Sequence, residues 1–312
     1  MLVGITGATG FIGSALMDEC LCRGYDVRIL TRQISKVLST PSAVDVIEGD
    51  LTKDCSGIHD FVRNLDVLYH CAGELTDESK MYDIHVDGTR RLLAAAQGNI
   101  GQWVQLSSVG AYGPPQGAAN ASRIVTESTP TKPQGVYETT KTQSDELVMQ
   151  TCGHDFMSCS IVRPSNVFGA DMPNQSLRSL GAMIGRRLFF YVGRPGALAT
   201  YVHVNDVVDV LLRCGIDSRA KGEIFNISND CLLTDMVNGM ASALGVARPW
   251  LRLPEPVVRL VTSVAENVAR FPLTQERIDA LVSRTKYPNV KLEKKLDFTP
   301  QVNVPSAIGE VL

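Results

Sequence analysis

The sequence has no CxxC pair, no apolar run long enough to span a bilayer and no excess of basic residues. Each absence removes a class of function. Its eight cysteines (20, 22, 55, 71, 152, 159, 214 and 231) are scattered through apolar contexts. That pattern gives neither zinc-ligand spacing nor a disulfide framework, so reduced core cysteines of a cytoplasmic protein are expected, with no metal site. A bilayer-spanning helix takes about 18 consecutive apolar residues, and no run reaches that length. With 30 Lys and Arg against 33 Asp and Glu the formal net charge is −3, which excludes nucleic acid as the main partner, because a phosphate binder carries basic excess. No secretory leader is expected, since Leu2-Val3-Gly4-Ile5-Thr6 already reads as a core strand. Internal repeats, low-complexity tracts and long linkers are also lacking.

What is present is an alternation of apolar strands and amphipathic helices in 312 residues, enough for one large or two modest domains. The pattern predicts an α/β fold, a doubly wound parallel sheet covered on both faces. Strands are expected at 2–6, 27–31, 44–48, 67–71, 103–107 and 159–163, and helices at 11–23, 79–97 and 135–152, with weaker ones after the second and third strands. After the sixth strand the alternation breaks, and it resumes over 200–228, where Glu223–Ser228 reads as a further strand. The expected division is a dinucleotide-binding Rossmann domain of residues 1–165 and 200–228, with 166–199 and 229–312 as a smaller α/β substrate-binding cap.

Between the first strand and helix lies Gly7-Ala8-Thr9-Gly10-Phe11-Ile12-Gly13. Glycines here allow a tight turn and a close backbone approach to a pyrophosphate, and the helix N-terminus that follows favours negative charge. The second strand ends in Leu30-Thr31-Arg32, with Lys36 shortly after and no acid to hold a ribose 2′-hydroxyl. A carboxylate repels a 2′-phosphate and a guanidinium clasps it, so NADP(H) is favoured over NAD(H). The later strands end in Gly49-Asp50-Leu51, His70-Cys71-Ala72-Gly73 and Ser107-Ser108, and strand C-termini line the ligand crevice of an open parallel sheet.

In Val136-Tyr137-Glu138-Thr139-Thr140-Lys141 a phenol and an ammonium are four residues apart, on one face of the expected helix. A free tyrosine titrates near ~10. The lysine is expected to lower that value toward the range where proton transfer is efficient.

These motifs, with His85-Val86-Asp87-Gly88-Thr89, Arg163-Pro164-Ser165-Asn166-Val167-Phe168-Gly169 and Tyr201-Val202-His203-Val204-Asn205-Asp206, resemble those of the extended short-chain dehydrogenase/reductases. Within that group the branch is the NAD(P)-dependent epimerases and dehydratases, closest in appearance to nucleotide-sugar 4-ketoreductases and epimerases. The resemblance implies that Tyr137 is the acid/base, that Lys141 binds the nicotinamide ribose and that Ser108 steadies the reacting oxygen. It assigns Gly7, Thr9, Gly10, Phe11, Ile12, Gly13, Arg32, Asp50, Leu51, Cys71, Ala72, Gly73, Tyr137, Lys141, Pro164 and Val167 to the cofactor. Glu74, Ser108, Asn166, Arg259 and Arg284 are assigned to the substrate. His85 stands where the family commonly has asparagine, and a structural role is expected for it.

Val109-Gly110 after Ser108 replaces the Asp-Glu pair a dehydratase would carry there. Arg32 and Ala199 fit a 4-epimerase poorly. The implied reaction is therefore NAD(P)H-dependent reduction of a 4-keto nucleotide sugar, a UDP-linked 6-deoxy-N-acetylhexosamine, for surface-polysaccharide synthesis. A 4-epimerase with bound NAD, a steroid or flavonoid ketoreductase and a non-catalytic NADP(H) sensor are the alternatives. An apolar, arginine-poor cap would favour the steroid type. The resemblance also implies a homodimer paired through the 79–97 and tyrosine-bearing helices, which the Leu92–Ala96 run permits. In the cap, Val257, Leu260, Val261, Val264 and Val268 fall at helical spacing within Pro256–Phe271. Packing of that face on the cap core is favoured over a membrane-surface or partner-binding helix.

Overall fold

Apolar strands pair edge to edge into one seven-stranded sheet. Its order in space is Glu223–Ile227, Ser158–Pro164, Ile100–Leu106, Leu65–His70, Leu2–Thr6, Asp26–Thr31 and Val44–Glu48, and every pairing is parallel. The computed structural model describes residues 1–37, 43–53, 56–115, 118, 120–152, 157–265 and 273–312. Because side chains alternate along a strand, each central strand feeds two cores. Val67 and Tyr69 join Leu16, Met17 and Val207 on one face, under the helices Phe11–Cys22 and Val204–Ile216. Leu68 and Trp103 face the other way, onto Phe61, Leu92 and Val148. The chain winds outward from the first strand to the third, then returns to the first strand's other side. The crevice at that reversal, outside the strand C-termini, is where such sheets take ligands.

A third cluster, including Phe168, Leu177, Phe189, Met236, Met240 and Ile308, forms beside this body. Residues 229–312 do not all stay with it. The helix Val290–Leu296 sends Leu292 and Leu296, followed by Phe298, back into the first core.

Three expectations change. Cys152, at the end of the helix Val136–Thr151, is disulfide-bonded to Cys159 in the next strand, their Cα atoms 5.8 Å apart. That separation suits a disulfide, and the two cysteines are brought together because helix and strand are consecutive and antiparallel neighbours. Cys20, Cys22, Cys71, Cys214 and Cys231 are free thiols, and Cys55 lies outside the described residues. Second, Leu92, Leu93, Ala95 and Ala96 are buried in the chain's own core, so that run gives no argument for a dimer face. Third, the cap helix Glu255–Ala265 turns Val257, Leu260, Val261 and Val264 to solvent and buries Val258 and Thr262 instead. Val268, Glu266 and Arg270 lie outside the described residues.

Two buried histidines tie the helices to the sheet. Thr6 Oγ1 bonds His70 Nδ1 at 2.7 Å and also accepts from the Ala72 N–H. Thr89 donates its hydroxyl to the His85 carbonyl, so its Oγ1 can only accept from His70 Nε2, 3.0 Å away, which therefore carries the proton. His85 sits in a π turn, Asp83–Asp87, between the helices Glu78–Tyr82 and Gly88–Ala96. Its Nε2 accepts from the Glu74 N–H and its Nδ1 meets Thr140 Oγ1 at 2.8 Å. Burial, with Lys141 adding, holds His70 down at about 3 and His85 at about 4. Both are neutral in the fold, as the structural role expected of His85 requires. An unfolded histidine takes up its proton near 6.5, so this stabilisation is complete above that pH and is lost as pH falls from 6.5 toward 4. The melting temperature followed by calorimetry should drop across that window, and His85→Gln should make the dependence shallower. A wild-type and variant pair with parallel profiles would contradict a neutral His85.

Candidate active site

The turn after the first strand is built by close approach. Gly7 has φ +71°, and a Cβ there would stand 2.7 Å from the Ala72 nitrogen. A Cβ on Gly13 would collide with the Gly7 carbonyl. Only glycine leaves the backbone open here. The helix that follows, Phe11–Cys22, is capped by Gly10 with no side-chain hydrogen bond and has no acid in its first turn. Its leading N–H groups thus receive no side-chain cap from Gly10 and carry the positive end of the helix dipole. A dinucleotide pyrophosphate fits this cradle.

The cradle opens into a cavity of about 680 Å3. Gly7, Thr9, Gly10, Phe11, Ile12 and Gly13 form one wall, and Arg32, Asp50 and Leu51 stand at the ends of the second and third strands. Cys71, Ala72 and Gly73 follow the fourth strand, Ser108 the fifth, and Pro164, Asn166 and Val167 the sixth. Tyr137 and Lys141 also reach it from the helix Val136–Thr151. Arg32 is exposed, and its charge helps hold the Asp50 carboxyl low. Burial of Asp50 acts the other way but is outweighed by the Thr52 N–H and hydroxyl together with Arg32 and Lys53. The side chain of Lys36 lies outside the described residues.

Lys141 is fully enclosed, and its Nζ donates to the Leu106 carbonyl at 2.6 Å. Burial lowers its pKa, with Asp145 and Cys71 opposing. The expected acidification of the tyrosine is not found. Burial pushes Tyr137 up to about 12, with Glu138 and Asp145 adding to the effect. The lysine does not offset this because its ammonium is held on the strand carbonyl. Ser108 caps the short turn after the fifth strand, its Oγ accepting from the Gly110 N–H at 3.1 Å.

Sequence reasoning missed what lies beneath. Asp145, one turn beyond Lys141, accepts from the Ser107 hydroxyl at 2.7 Å and from Arg163 at 3.0 and 3.1 Å. This ion pair is buried, and the Arg163 guanidinium lies 5.1 Å from the centre of the Tyr112 ring. Burial pushes the Asp145 carboxyl up even so. The available signal was the spacing Tyr137, Lys141, Asp145, two steps of four along one helix face. Met172, Pro173, Asn174, Ser176 and Tyr201 were also missed as cavity wall.

Three expected substrate residues do not line the cavity. The Glu74 carboxylate closes its own turn, accepting from the N–H groups of Leu75, Thr76 and Asp77 and from the Thr76 hydroxyl. Those bonds to Thr76 first, then to its neighbours, hold it down at about 2. Arg259 is paired with Glu255 and Asp279. Arg284 donates to the Pro195 carbonyl at 2.6 Å. Among the described residues the cationic lining of the cavity is Arg32 and Lys141. No group of three or more His, Cys, Asp or Glu suited to a metal occurs among them either.

The chain is 30% identical over 302 residues to Sterol demethylase protein B of Methylococcus capsulatus, covering 92% of this chain and 87% of that one. It is 26% identical to the decarboxylating sterol-4-alpha-carboxylate 3-dehydrogenase of Candida albicans, covering 99% and 95%. In fold it is similar to UDP-glucuronic acid 4-epimerase from Bacillus cereus, solved with NAD, at a TM-score of 0.76 and 17% identity, over 99% and 95% of the two chains. The sequence profile of the NAD dependent epimerase/dehydratase family matches residues 3–228. With its cradle and strand tips arranged as described, the chain belongs to the NAD dependent epimerase/dehydratase family of enzymes.

Proposed function

We propose that the protein is an NADP(H)-preferring oxidoreductase that interconverts a ketone and a secondary alcohol on a largely apolar, sterol-like substrate. The observation that carries this reading is the absence of any cation from the cap side of the described cavity lining. A nucleotide diphosphate has two negative charges to be matched in a partly dry site, and such charges need paired partners. Arg259 and Arg284, the candidates from sequence, are held by other groups, and Ala199 is buried in the cap core. Met172 and Pro173 offer apolar surface to the cavity. The sterol-acting relatives, similar over nearly the whole chain, point the same way.

The bound cofactor supplies the hydride donor or acceptor. The Gly7–Gly13 turn and the helix end behind it would hold its pyrophosphate, Asp50 and Leu51 would flank the adenine, and Arg32 would meet a 2′-phosphate. Lys141 would reach the ribose, and Pro164 and Val167 would pass along the nicotinamide. Tyr137 keeps its proton at neutral pH, which suits a donor to a ketone oxygen as the carbonyl carbon gains its hydride. Ser108 would steady that oxygen as charge develops on it.

A nucleotide-activated 4-keto sugar is the second reading. Asn166, Asn174, Ser176 and Tyr201 on the wall favour it, since each can bond a sugar hydroxyl. A panel decides between the two. NADPH oxidation with a 3-ketosteroid but not with a UDP-linked 4-keto-6-deoxy sugar supports the first reading, and the opposite result overturns it. Dimer formation through the helix pair is kept as a proposal for the same preparation, to be read by light scattering.

Two substitutions test the roles. Tyr137→Phe should cut kcat by about 10²–10⁴-fold while cofactor affinity stays within a factor of about two. Because the protonated phenol is the donor, the wild-type reduction rate should hold through neutral pH and fall only as pH climbs toward 12. Turnover by Tyr137→Phe at the wild-type rate removes the phenol from the mechanism. Arg32→Ser should weaken NADPH binding by about 10–100-fold, the worth of one or two charge-assisted hydrogen bonds, and leave NADH binding nearly unchanged. Equal losses for both cofactors, measured by fluorescence titration, would show that Arg32 does not read the 2′-phosphate.

A further inference from the structure

The cap helix Glu255–Ala265 has two unlike sides. Val258 packs with Val192, Ile278 and Val282, and Thr262 is buried beside it on the same side. Away from them, Val257, Leu260, Val261 and Val264 follow one another at three- and four-residue spacing and are exposed at 54, 67, 55 and 59%. The segment leading into this helix adds Leu251, also exposed, and Trp250, which is 86% exposed. The strand Arg252–Leu253 pairs in parallel with Tyr191–Val192, and the chain just before Tyr191 carries the exposed Leu188 and two arginines. Core packing accounts for none of these side chains.

Charge separates this region from the rest of the molecule. Positions 183–199 and 244–264 hold Arg186, Arg187, Arg194, Arg248, Arg252 and Arg259 against the single carboxylate of Glu255, in a chain of net charge −3. Arg259 is neutralised by Glu255 and Asp279, and Arg252 lies over the Tyr191 ring. Arg186, Arg187, Arg194 and Arg248 are exposed.

We propose that this part of the cap docks on an anionic phospholipid surface. The stripe of the helix would enter among the headgroups while the arginines meet their phosphates. An exposed apolar helix face, an exposed indole in the segment leading into it and arginines on the neighbouring segments make up the composition that lies in a lipid–water interface. A protein partner would also cover the stripe, but the local basic excess on an acidic chain favours the lipid. The inference does not rest on the substrate reading, because binding to vesicles is measured without turnover.

The full chain is sedimented with vesicles of phosphatidylglycerol or of phosphatidylcholine at low salt. Trp103 is fully buried, so a blue shift in tryptophan emission reports Trp250. Binding to phosphatidylglycerol should be about tenfold or more the tighter, as the charge of a few arginines would give. Leu260→Asp with Val261→Asp should reduce it by at least about tenfold with unchanged melting temperature and cofactor affinity. Arg186→Glu with Arg187→Glu should erase the preference for the anionic lipid. Three results overturn the proposal: no wild-type binding, equal binding to both lipids, or full binding by the aspartate variant. A concentration-dependent dimer disrupted by the aspartates, without vesicle binding, assigns the face to a second copy of the chain instead.

Discussion

The site depends on one seam of buried polar contacts, where the helix Val136–Thr151 lies against the end of the fifth strand and the π turn Asp83–Asp87. Lys141 donates to the Leu106 carbonyl, Ser107 donates to Asp145, Gln105 donates to Ser144, and Thr140 meets His85. Every one of these contacts joins residues far apart in sequence. Each is worth only about 0.5–1.5 kcal/mol net, but leaving one buried partner unmatched costs more than the bond returns. The helix can therefore neither rotate nor slide by a residue without stranding several groups at once. That constraint fixes Tyr137 at the cavity wall more firmly than apolar packing would, since apolar contacts tolerate small shifts.

The same seam sets the electrostatics. A lysine directed at a backbone carbonyl, over a carboxylate that is itself held by Arg163, is not a free charge aimed at the phenol. Breaking the Asp145–Arg163 pair by removing one partner would leave an isolated buried ion, a loss on the order of 3–5 kcal/mol. The pair thus acts first on the shape of the site. It holds the fifth- and sixth-strand ends at one level, which is where Ser108, Pro164 and Asn166 enter the cavity.

Much of this was legible in the sequence because it is local. Strand positions and the main helices followed from side-chain periodicity, and the observed strands of the main sheet begin and end within a few residues of those expected, whereas the weak helix expected after the second strand is a 3-10 turn, Ile34–Val37, among the described residues. The glycine turn was legible because a positive φ and a close backbone approach admit few other residues. Every residue assigned to the cofactor reaches the cavity, most from a strand end or the turn beside one, and Tyr137 and Lys141 from one face of a helix. What stayed hidden depends on which side chains meet across the fold. Nothing near Arg163 in sequence announces Asp145. Nothing near Glu74 shows that its carboxylate closes its own turn, and isolated arginines such as Arg259 do not disclose their partners. Cys152 and Cys159 look unrelated until helix and strand fold back together.

The cap helix shows the limit of periodicity in its plainest form. Spacing of three and four residues says that apolar side chains share a face, but not whether that face looks inward. Here the inward positions are Val258 and Thr262, one step off the stripe. Val258 packs there with Val192, Ile278 and Val282 in a small cluster to which none of the four stripe residues belongs. An exposed stripe of this size is a standing cost in water unless something covers it. The excess of arginine over carboxylate in the segments next to it favours an anionic surface over a basic one, because like charges repel. Neither the apolar stripe nor the exposed arginines of the neighbouring segments line the cavity, so its chemistry accounts for neither.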